Sequence, residues 1–366
     1  MTRTPRPPAQ STDFDRTRLT VARRLRGLSK AALAREVGLS ATAIAQFEKG
    51  ASKPTQGVLA QICLTLQMPR EFFGAGNPLT LLPASEAHFR SLRSTSAAQR
   101  EQALAFGELG LEIVDLIEAY VELPPVRLPE ALLPAEITPD VIADVVRAVK
   151  RTWGVGPGPV PNMVRLLEAN GIIALPLPRD TDRKVDAFST AAGRRPLVLL
   201  SPASQDRARS RFDAAHELGH LVLHPDTEPG SKIVERQAHA FAAEFLMPAA
   251  EITQQLPRRI DWPALHDLKQ RWQVSLRALV YRAHTLGRLS SASYRRANQQ
   301  LSMWGLPEPG DLGPAERPEL LTRAKSLMVD NGIDFDGILT AGRITAEVAD
   351  IVISTAVPDR PKLAIE

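Results

Sequence analysis

The chain has 366 residues, of which 44% are hydrophobic and 23% are charged. This length accommodates two or three domains, and the composition is ordinary for a folded globular protein. The single cysteine, Cys63, excludes an intramolecular disulfide and makes a thiolate metal site implausible. Because the apolar runs are too short to span a bilayer, we expect a soluble, cytoplasmic protein with no membrane partner.

Positive charge is concentrated near the N-terminus. Residues 1–75 hold 12 Lys and Arg against 5 Asp and Glu, whereas the other 291 residues carry a small net negative charge. A basic segment of this kind fits a polyanionic partner, and it fits a solvated basic surface equally well.

Turn residues, prolines and apolar periodicity divide the chain into segments. We predict a disordered tail at 1–15, a helical head at 16–76, a connector at 77–133, an α+β domain at 134–290 and a mostly helical extension at 291–366. The connector contains a long amphipathic helix, Ala97 to Tyr120, and a proline-rich linker. The predicted protein is therefore multidomain, with an all-α head and a second domain built on a small sheet. The role of the extension stays open.

The head carries the pattern of two short helices. Apolar residues recur at helical spacing on either side of a glycine turn, at Leu33, Val37, Ile44 and Phe47. Ser40 is placed to cap the second helix. Two helices joined in this way predict a helix-turn-helix, whose second helix enters the DNA major groove. Residues 18–74, including "EKGASKP", resemble the Xre/Cro/C1 family of helix-turn-helix domains.

The resemblance implies a set of contacts with double-stranded DNA. Base-reading positions fall on Ala41, Thr42 and Gln46, and Lys30 and Lys49 fall near phosphates. Gln46 can bond an adenine edge and Thr42 can contact a thymine methyl, whereas alanine reads bases poorly. Modest sequence specificity and readout of DNA shape both stay open. Paired half-sites would imply a homodimer, and an ordinary helical subdomain is the alternative to a DNA-binding head.

The stretch "RFDAAHELGHLVLHPD", residues 211–226, has the spacing of a metal-binding helix. His216 and His220, four residues apart, lie on one helical face and can direct ring nitrogens to one zinc ion. Glu217, beside His216, can then accept a proton from a water at the metal. His224 lies about 12 Å and about 80° around a straight helix from His216, so we predict that it is no ligand.

A third ligand is predicted in the next helix, "VERQAHAFAAEFLMP". Glu235 shares its apolar, inward face, whereas Glu244 falls on the opposite side and is predicted to be solvated. An inward carboxylate is costly unless a cation pairs with it. His216, His220 and Glu235 therefore predict a His₂Glu zinc site of the metallopeptidase kind. His239 either lines this site or is a hydrogen-bonded core histidine.

Several linked motifs carry a second resemblance. "AAHELGHLVLH", "ERQAHAFAAEFLMP" and "LKQRWQVSLRALVYRAHTLGRLS" follow one another, preceded by "VPNMVRLLEANGIIALPL" and "VDAFST". Over residues 145–290 the chain resembles the ImmA/IrrE family of zinc metallopeptidases. That resemblance implies a zincin-like α+β domain, the zinc ligands His216, His220 and Glu235, and Glu217 as the catalytic base. It also implies an Xre-type repressor as the protein substrate, cleaved to induce stress or mobile-element genes.

Three functions compete at this point. The first is a DNA-binding transcriptional regulator with a zinc-dependent endopeptidase domain, acting on a separate repressor or on its own head. The second is a transcription factor whose protease-like domain is a non-catalytic sensor of a small molecule or holds structural zinc. The third is a housekeeping peptidase tethered to DNA. Glu217 favours the first, because a structural zinc site needs no base.

Short strands are predicted upstream of the histidine helix, at "IIALPL", "DAFST" and "PLVLLS". The last two are candidates for an edge strand that holds a substrate peptide extended, since strand addition reads the peptide backbone rather than its side chains.

Overall fold

The computed structural model describes residues 14–83, 87–89, 96–129, 133–177, 187–201, 206–225, 227 and 231–353. The predicted disordered tail lies outside these residues except for its last two, of which Phe14 is buried and Asp15 caps the first helix. The chain divides into two compact units. The first comprises Met1–Leu81, Glu108–Glu122 and Pro318–Glu366, and the second comprises Leu82–Gly107 and Leu123–Arg317.

Helices dominate the described residues. The first unit and the long connecting helix contain α1 (Arg16–Leu25), α2 (Lys30–Glu36), α3 (Ala41–Lys49), α4 (Gln56–Leu66), a 3₁₀ turn (Arg70–Phe73) and α5 (Ala97–Glu118). There follow α6 (Pro139–Thr152), α7 (Met163–Ala169), α8 (Arg207–Leu223), α9 (Lys232–Leu246), α10 (Ala249–Ile252), α11 (Trp262–Trp272), α12 (Leu276–Thr285) and α13 (Ser291–Trp304). The last three are α14 (Leu320–Asp330), α15 (Phe335–Ala341) and α16 (Ala346–Ile353). Within the described part of the chain, no helix is both long and apolar enough to cross a membrane.

The head has the predicted helix-turn-helix. Ser40 accepts a hydrogen bond from the Ala43 amide at 3.2 Å, which satisfies one of the open N–H groups at the start of α3. The helix ends at Gly50, whose φ of +74° is the left-handed conformation that glycine adopts without strain. The four periodic apolar residues are all buried, so they hold α2 and α3 against the rest of the head.

A buried arginine joins distant parts of the first unit. The Arg18 side chain, fully buried, donates to the carbonyl oxygens of Asn77 at 2.8 Å and Gly342 at 3.3 Å. It also pairs with Glu112 of α5 at 3.3 Å. Burial lowers the pKa of Arg18, and the nearby Glu112 carboxylate opposes that effect. The C-terminal helices therefore belong structurally with the helix-turn-helix, which gives part of the extension a place in the fold.

A small sheet lies at the centre of the second unit. Its strands are β1 (His88–Phe89), β2 (Ile173–Pro176), β3 (Ala187–Thr190) and β4 (Leu197–Leu200), in the order β1-β3-β4-β2. The β2 and β4 strands are parallel, and β3 is antiparallel to both β4 and β1. This arrangement confirms the predicted α+β class with a small sheet, and Asp186 of the predicted strand "DAFST" lies outside the described residues.

Helices cover both faces of the sheet. Ser189 of β3 contacts α8 on one face. On the other face, a Cβ added at Gly107 of α5 would lie 2.7 Å from the Leu197 side chain, so this part of α5 lies directly against β4. The sheet is therefore the middle layer of a three-layer unit.

The edge-strand prediction was wrong for "PLVLLS". This segment forms β4, which lies between β3 and β2 and has no free edge. The outer edge of β3 is paired with His88 and Phe89, which form β1. Sequence periodicity could not reveal this pairing, because β1 precedes β3 by about 100 residues and contains only two residues.

Part of the C-terminal extension packs in the second unit. Ala297 and Leu301 of α13 are buried in its hydrophobic core. Glu316 forms a buried ion pair with Arg211 of α8, whose guanidinium also donates to the Val160 carbonyl at 2.7 Å. The start of α8 is therefore fixed by residues far along the chain.

The packing of α8 against α9 depends on Gly219. A Cβ at this position would lie 3.2 Å from the Ala238 carbonyl oxygen and 3.2 Å from Phe241 Cβ. Those distances are close to the limit for an alanine, and they leave no room for a larger side chain.

We therefore predict that Gly219→Val lowers the free energy of unfolding by about 1–3 kcal/mol, because the branched side chain forces α8 and α9 apart. Gly57→Val in α4 is the control, since a Cβ there would point into open space. Urea unfolding of the two variants measures the difference. Equal stability of the two variants would mean that α8 and α9 do not need the close approach.

Candidate metal centre

Two histidines of α8 point to one place. Asp206 caps this helix by accepting from the Arg209 amide at 2.8 Å, and the 17-residue helix is almost entirely buried. His216 and His220 are fully buried, and their Nε2 atoms lie 3.1 Å apart. Two imidazole nitrogens directed at one point in a protein interior are typical of a metal site.

The third member of the cluster comes from α9. Glu235 Oε2 lies 3.4 Å from His216 Nε2, and Glu235 Oε1 lies 3.6 Å from His220 Nε2. Its side chain is 26% exposed, whereas both imidazoles are fully buried. The cluster is therefore closed on the α8 side and open beside the glutamate.

These separations match the geometry of zinc. Tetrahedral ligands at 2.0–2.1 Å from zinc lie about 3.3 Å from one another. The three separations in the structure, 3.1, 3.4 and 3.6 Å, fall on both sides of that value. Among the described residues, His216, His220 and Glu235 are the group of His, Cys, Asp and Glu side chains that could hold a metal. The residue types and the distances both fit a zinc ion with one position left for water or substrate.

Glu217 lies beside the cluster and is held by the sheet. It is fully buried, and its Oε2 accepts a hydrogen bond from Ser189 Oγ at 2.7 Å. Ser189, in β3, is also fully buried. A carboxylate that accepts a buried hydrogen bond of this kind is held in one orientation. The role of Ser189 could not be predicted from a local pattern, because 28 residues separate it from Glu217.

His224 lies outside the cluster. Its Nε2 lies 2.9 Å from Gln237 Oε1 of α9, and its backbone marks the C-terminal end of α8. Burial lowers the pKa of His224, and the hydrogen bond with Gln237 partly opposes this. The ring therefore packs between α8 and α9 and bonds to Gln237, and its non-ligand role stays a prediction.

His239 lies one turn after Glu235 and is exposed. Its ring centroid is 5.1 Å from that of His216 and 4.9 Å from that of Phe212. Of the two roles left open for His239, the exposed position beside the ligands favours a residue that lines the site.

Glu244 was predicted to be solvated, and this was wrong. Its side chain is only 14% exposed, forms an ion pair with Arg282 of α12, and accepts from the Ala249 amide at 3.0 Å. The helical wheel of α9 correctly placed Glu244 away from the metal cluster. It could not show that α12 supplies a partner on that side.

The predicted DNA-contacting residues lie on α2 and α3. Ala41, Thr42, Gln46 and Lys49 are all exposed on α3. Lys30 is partly exposed, and its Nζ lies 3.2 Å from Glu48 Oε2. An ammonium group already paired with a carboxylate contributes less to phosphate binding, so Lys30 is the weaker of the two predicted phosphate contacts.

Comparison with known families agrees with this arrangement. Residues 172–284 match the peptidase family model described as the IrrE N-terminal-like domain. Residues 21–73 match a model described as helix-turn-helix. The chain joins an IrrE-like peptidase-family domain to a helix-turn-helix domain. Both resemblances found in the sequence are thereby confirmed, and among curated proteins no relative matches the chain.

The two matched domains indicate which activities to expect of the chain. A helix-turn-helix domain implies DNA binding, and the peptidase family implies activity of the metallopeptidase type with a protein substrate. The matched segment of the IrrE-like domain contains His216, Glu217, His220 and Glu235. The metal expected for the family therefore coincides in sequence with the cluster found in the structure.

We predict that the purified protein binds about one zinc ion per chain. Replacing His216, His220 or Glu235 by Ala should abolish stoichiometric zinc, because two ligands seldom hold zinc tightly. His224→Ala should retain it and is the matched control on the same helix. Inductively coupled plasma mass spectrometry after dialysis gives the stoichiometry. Zinc lost from His224→Ala and retained by Glu235→Ala would show that the ligand set is wrong.

Proposed function

We propose that this protein is a DNA-binding transcriptional regulator whose IrrE-like domain is a zinc-dependent endopeptidase. The observation that carries the proposal is the convergence of His216, His220 and Glu235, with the buried Glu217 next to them. Two imidazoles and one carboxylate make a site with an open position, which is typical of catalytic zinc in peptidases.

The residues of the site have separate roles in peptide hydrolysis. When bound, zinc supplies a Lewis acid that polarises the scissile carbonyl and lowers the pKa of water. Glu217 accepts the proton of the attacking water and then delivers it to the leaving nitrogen. Ser189, by donating to one Glu217 oxygen, holds the carboxylate in a fixed orientation for this proton transfer. The partly exposed side of Glu235 is where substrate reaches the site.

A sensor without catalysis is the alternative function. A zinc ion that only stabilises a fold normally has four protein ligands. The described cluster has three, and a potential base lies against it. A fully buried carboxylate that does not bind the metal costs stability and has no purpose in a structural site. This favours the enzyme over the sensor.

The substrate proposed is an Xre-type repressor. The head resembles such repressors, and the metallopeptidase family acts on proteins, so cleavage would relieve repression of stress or mobile-element genes. The cleaved protein is either a separate repressor or the head of this chain. A homodimer on paired half-sites would give the head the symmetry of its operator.

The head gives a prediction that does not depend on the peptidase. Gln46→Ala should remove the preference for a promoter site over random DNA, because Gln46 is exposed at a base-reading position. Lys49→Ala should weaken binding to all sequences alike and reduce the salt dependence by about one phosphate contact. Mobility shifts with the full-length protein, over a range of salt concentrations, measure both effects. Salt-independent binding would contradict the proposed DNA-binding role.

Glu217→Gln tests whether the domain is an enzyme. The amide keeps the shape of the side chain and removes the base, which commonly slows a reaction by about 10²–10⁴-fold. We expect normal zinc content and DNA binding, with loss of repressor cleavage. Co-incubation with Xre-type repressors encoded near the gene, followed by electrophoresis, measures cleavage. Equal promoter induction by wild type and Glu217→Gln, with no zinc-dependent proteolysis, would favour the sensor.

A further inference from the structure

The edge of the sheet nearest the candidate site is paired with a segment of the chain itself. In β1, His88 pairs with Ser189 and Phe89 pairs with Phe188, in an antiparallel register. The β3 strand is bonded to β4 on its other side. The two residues of β1 therefore occupy the side of β3 on which another strand could add.

This edge is connected directly to the candidate base. Ser189, opposite His88, is the residue whose hydroxyl donates to Glu217. A backbone paired with β3 at Ser189 therefore lies opposite the residue that orients the base. Extended peptides bind to proteins by adding a strand to such an edge, through main-chain hydrogen bonds.

Two residues that precede β1 are buried within the second unit. Leu82 and Ala87 are both buried, at 2% and 0% exposure. A Cβ at Gly107 would lie 3.2 Å from the Leu82 side chain, so Leu82 packs against α5 as part of the same layer. The pairing is thus supported by burial on the N-terminal side of β1 as well as by main-chain contacts.

We propose that residues 87–89 act as an intramolecular competitor, because they occupy the edge of β3 on which a substrate polypeptide would add as an antiparallel strand. This inference rests on the proposed peptidase function, because only a peptidase would have a polypeptide substrate here. The pairing of β1 with β3 does not depend on that function. The competing segment lies between the helix-turn-helix and the IrrE-like domain in the sequence. Any change that moves residues 87–89 away from β3 would expose the edge of β3 to another strand.

The contact between β1 and β3 is small enough for an incoming peptide to displace β1. Two paired residues supply only a few main-chain hydrogen bonds, each contributing about 0.5–1.5 kcal/mol net. If the competitor leaves the edge free in only a fraction of molecules, the apparent affinity for an incoming peptide falls by that fraction. A substitution that weakens the packing or pairing of residues 87–89 should therefore raise the apparent affinity for an added peptide.

The experiment uses the full-length, zinc-loaded protein with Glu217→Gln, so that binding is measured without cleavage. Ala87→Asp places a carboxylate in a fully buried position and should release the segment. Phe89→Pro is a second variant, which removes a main-chain donor from β1 without placing a charge in the core. Ala98→Asp is the matched control, because Ala98 is exposed in the first turn of α5.

The probe is reduced, carboxymethylated casein carrying a fluorophore, and binding is followed by anisotropy. We expect Ala87→Asp and Phe89→Pro to bind casein about tenfold more tightly than their parent. Without casein, hydrogen exchange of the amides at 187–190 should also be faster in both variants. Ala98→Asp should match the parent in both measurements.

Unchanged affinity and unchanged exchange in both variants would overturn the proposal, as would the absence of casein binding throughout. The same substitutions with Glu217 intact separate this inference from the proposed function. Tighter binding without cleavage of any protein would support the edge assignment and contradict the peptidase. Cleavage that occurs but does not respond to Ala87→Asp or Phe89→Pro would support the peptidase and overturn the competitor.

Discussion

The close approach of α8 and α9 is the constraint on which the candidate site depends. Gly219 leaves room for the α9 backbone at Ala238, and this brings the Glu235 carboxylate to 3.4–3.6 Å from two buried imidazoles. Neither helix makes a site by itself, since α8 supplies two nitrogens and α9 supplies one carboxylate. The two imidazoles are fully buried and the carboxylate is 26% exposed, and a cation bound among them offsets the cost of that burial. The close approach of the helices at Gly219 therefore creates a cluster that a metal ion would stabilise.

The sheet contributes to the site as well as the two helices. Its β3 strand orients Glu217 through Ser189, and the same strand presents the edge that pairs with β1. In the proposed mechanism, one four-residue strand therefore sets the positions of both the base and the bound peptide. A change in the pairing of β3 could alter the access of substrate and the orientation of the base together. This links the connector between the two domains to the chemistry of the second.

The sequence predicted those features that depend on local periodicity. Four-residue spacing identified His216 and His220, and the inward face of α9 identified Glu235. Features that depend on contacts between distant segments could not be predicted, since no pattern links their members. The partner of Glu244, Arg282, lies 38 residues away, and Arg18 reaches Gly342 across 324 residues. The same limitation explains why the C-terminal helices had no predicted role and why β4 was mistaken for an edge strand.

In the proposed function, α8 and α9 together form an open, three-ligand zinc site. X-ray absorption at the zinc K-edge, on the full-length protein loaded with one equivalent of zinc, tests it most directly. We predict two imidazole nitrogens at 2.0–2.1 Å, with the remaining first-shell scattering from oxygen at 2.0–2.2 Å. Sulfur at about 2.3 Å, which Cys63 would supply, or a third imidazole, which His224 or His239 would supply, would contradict the claim.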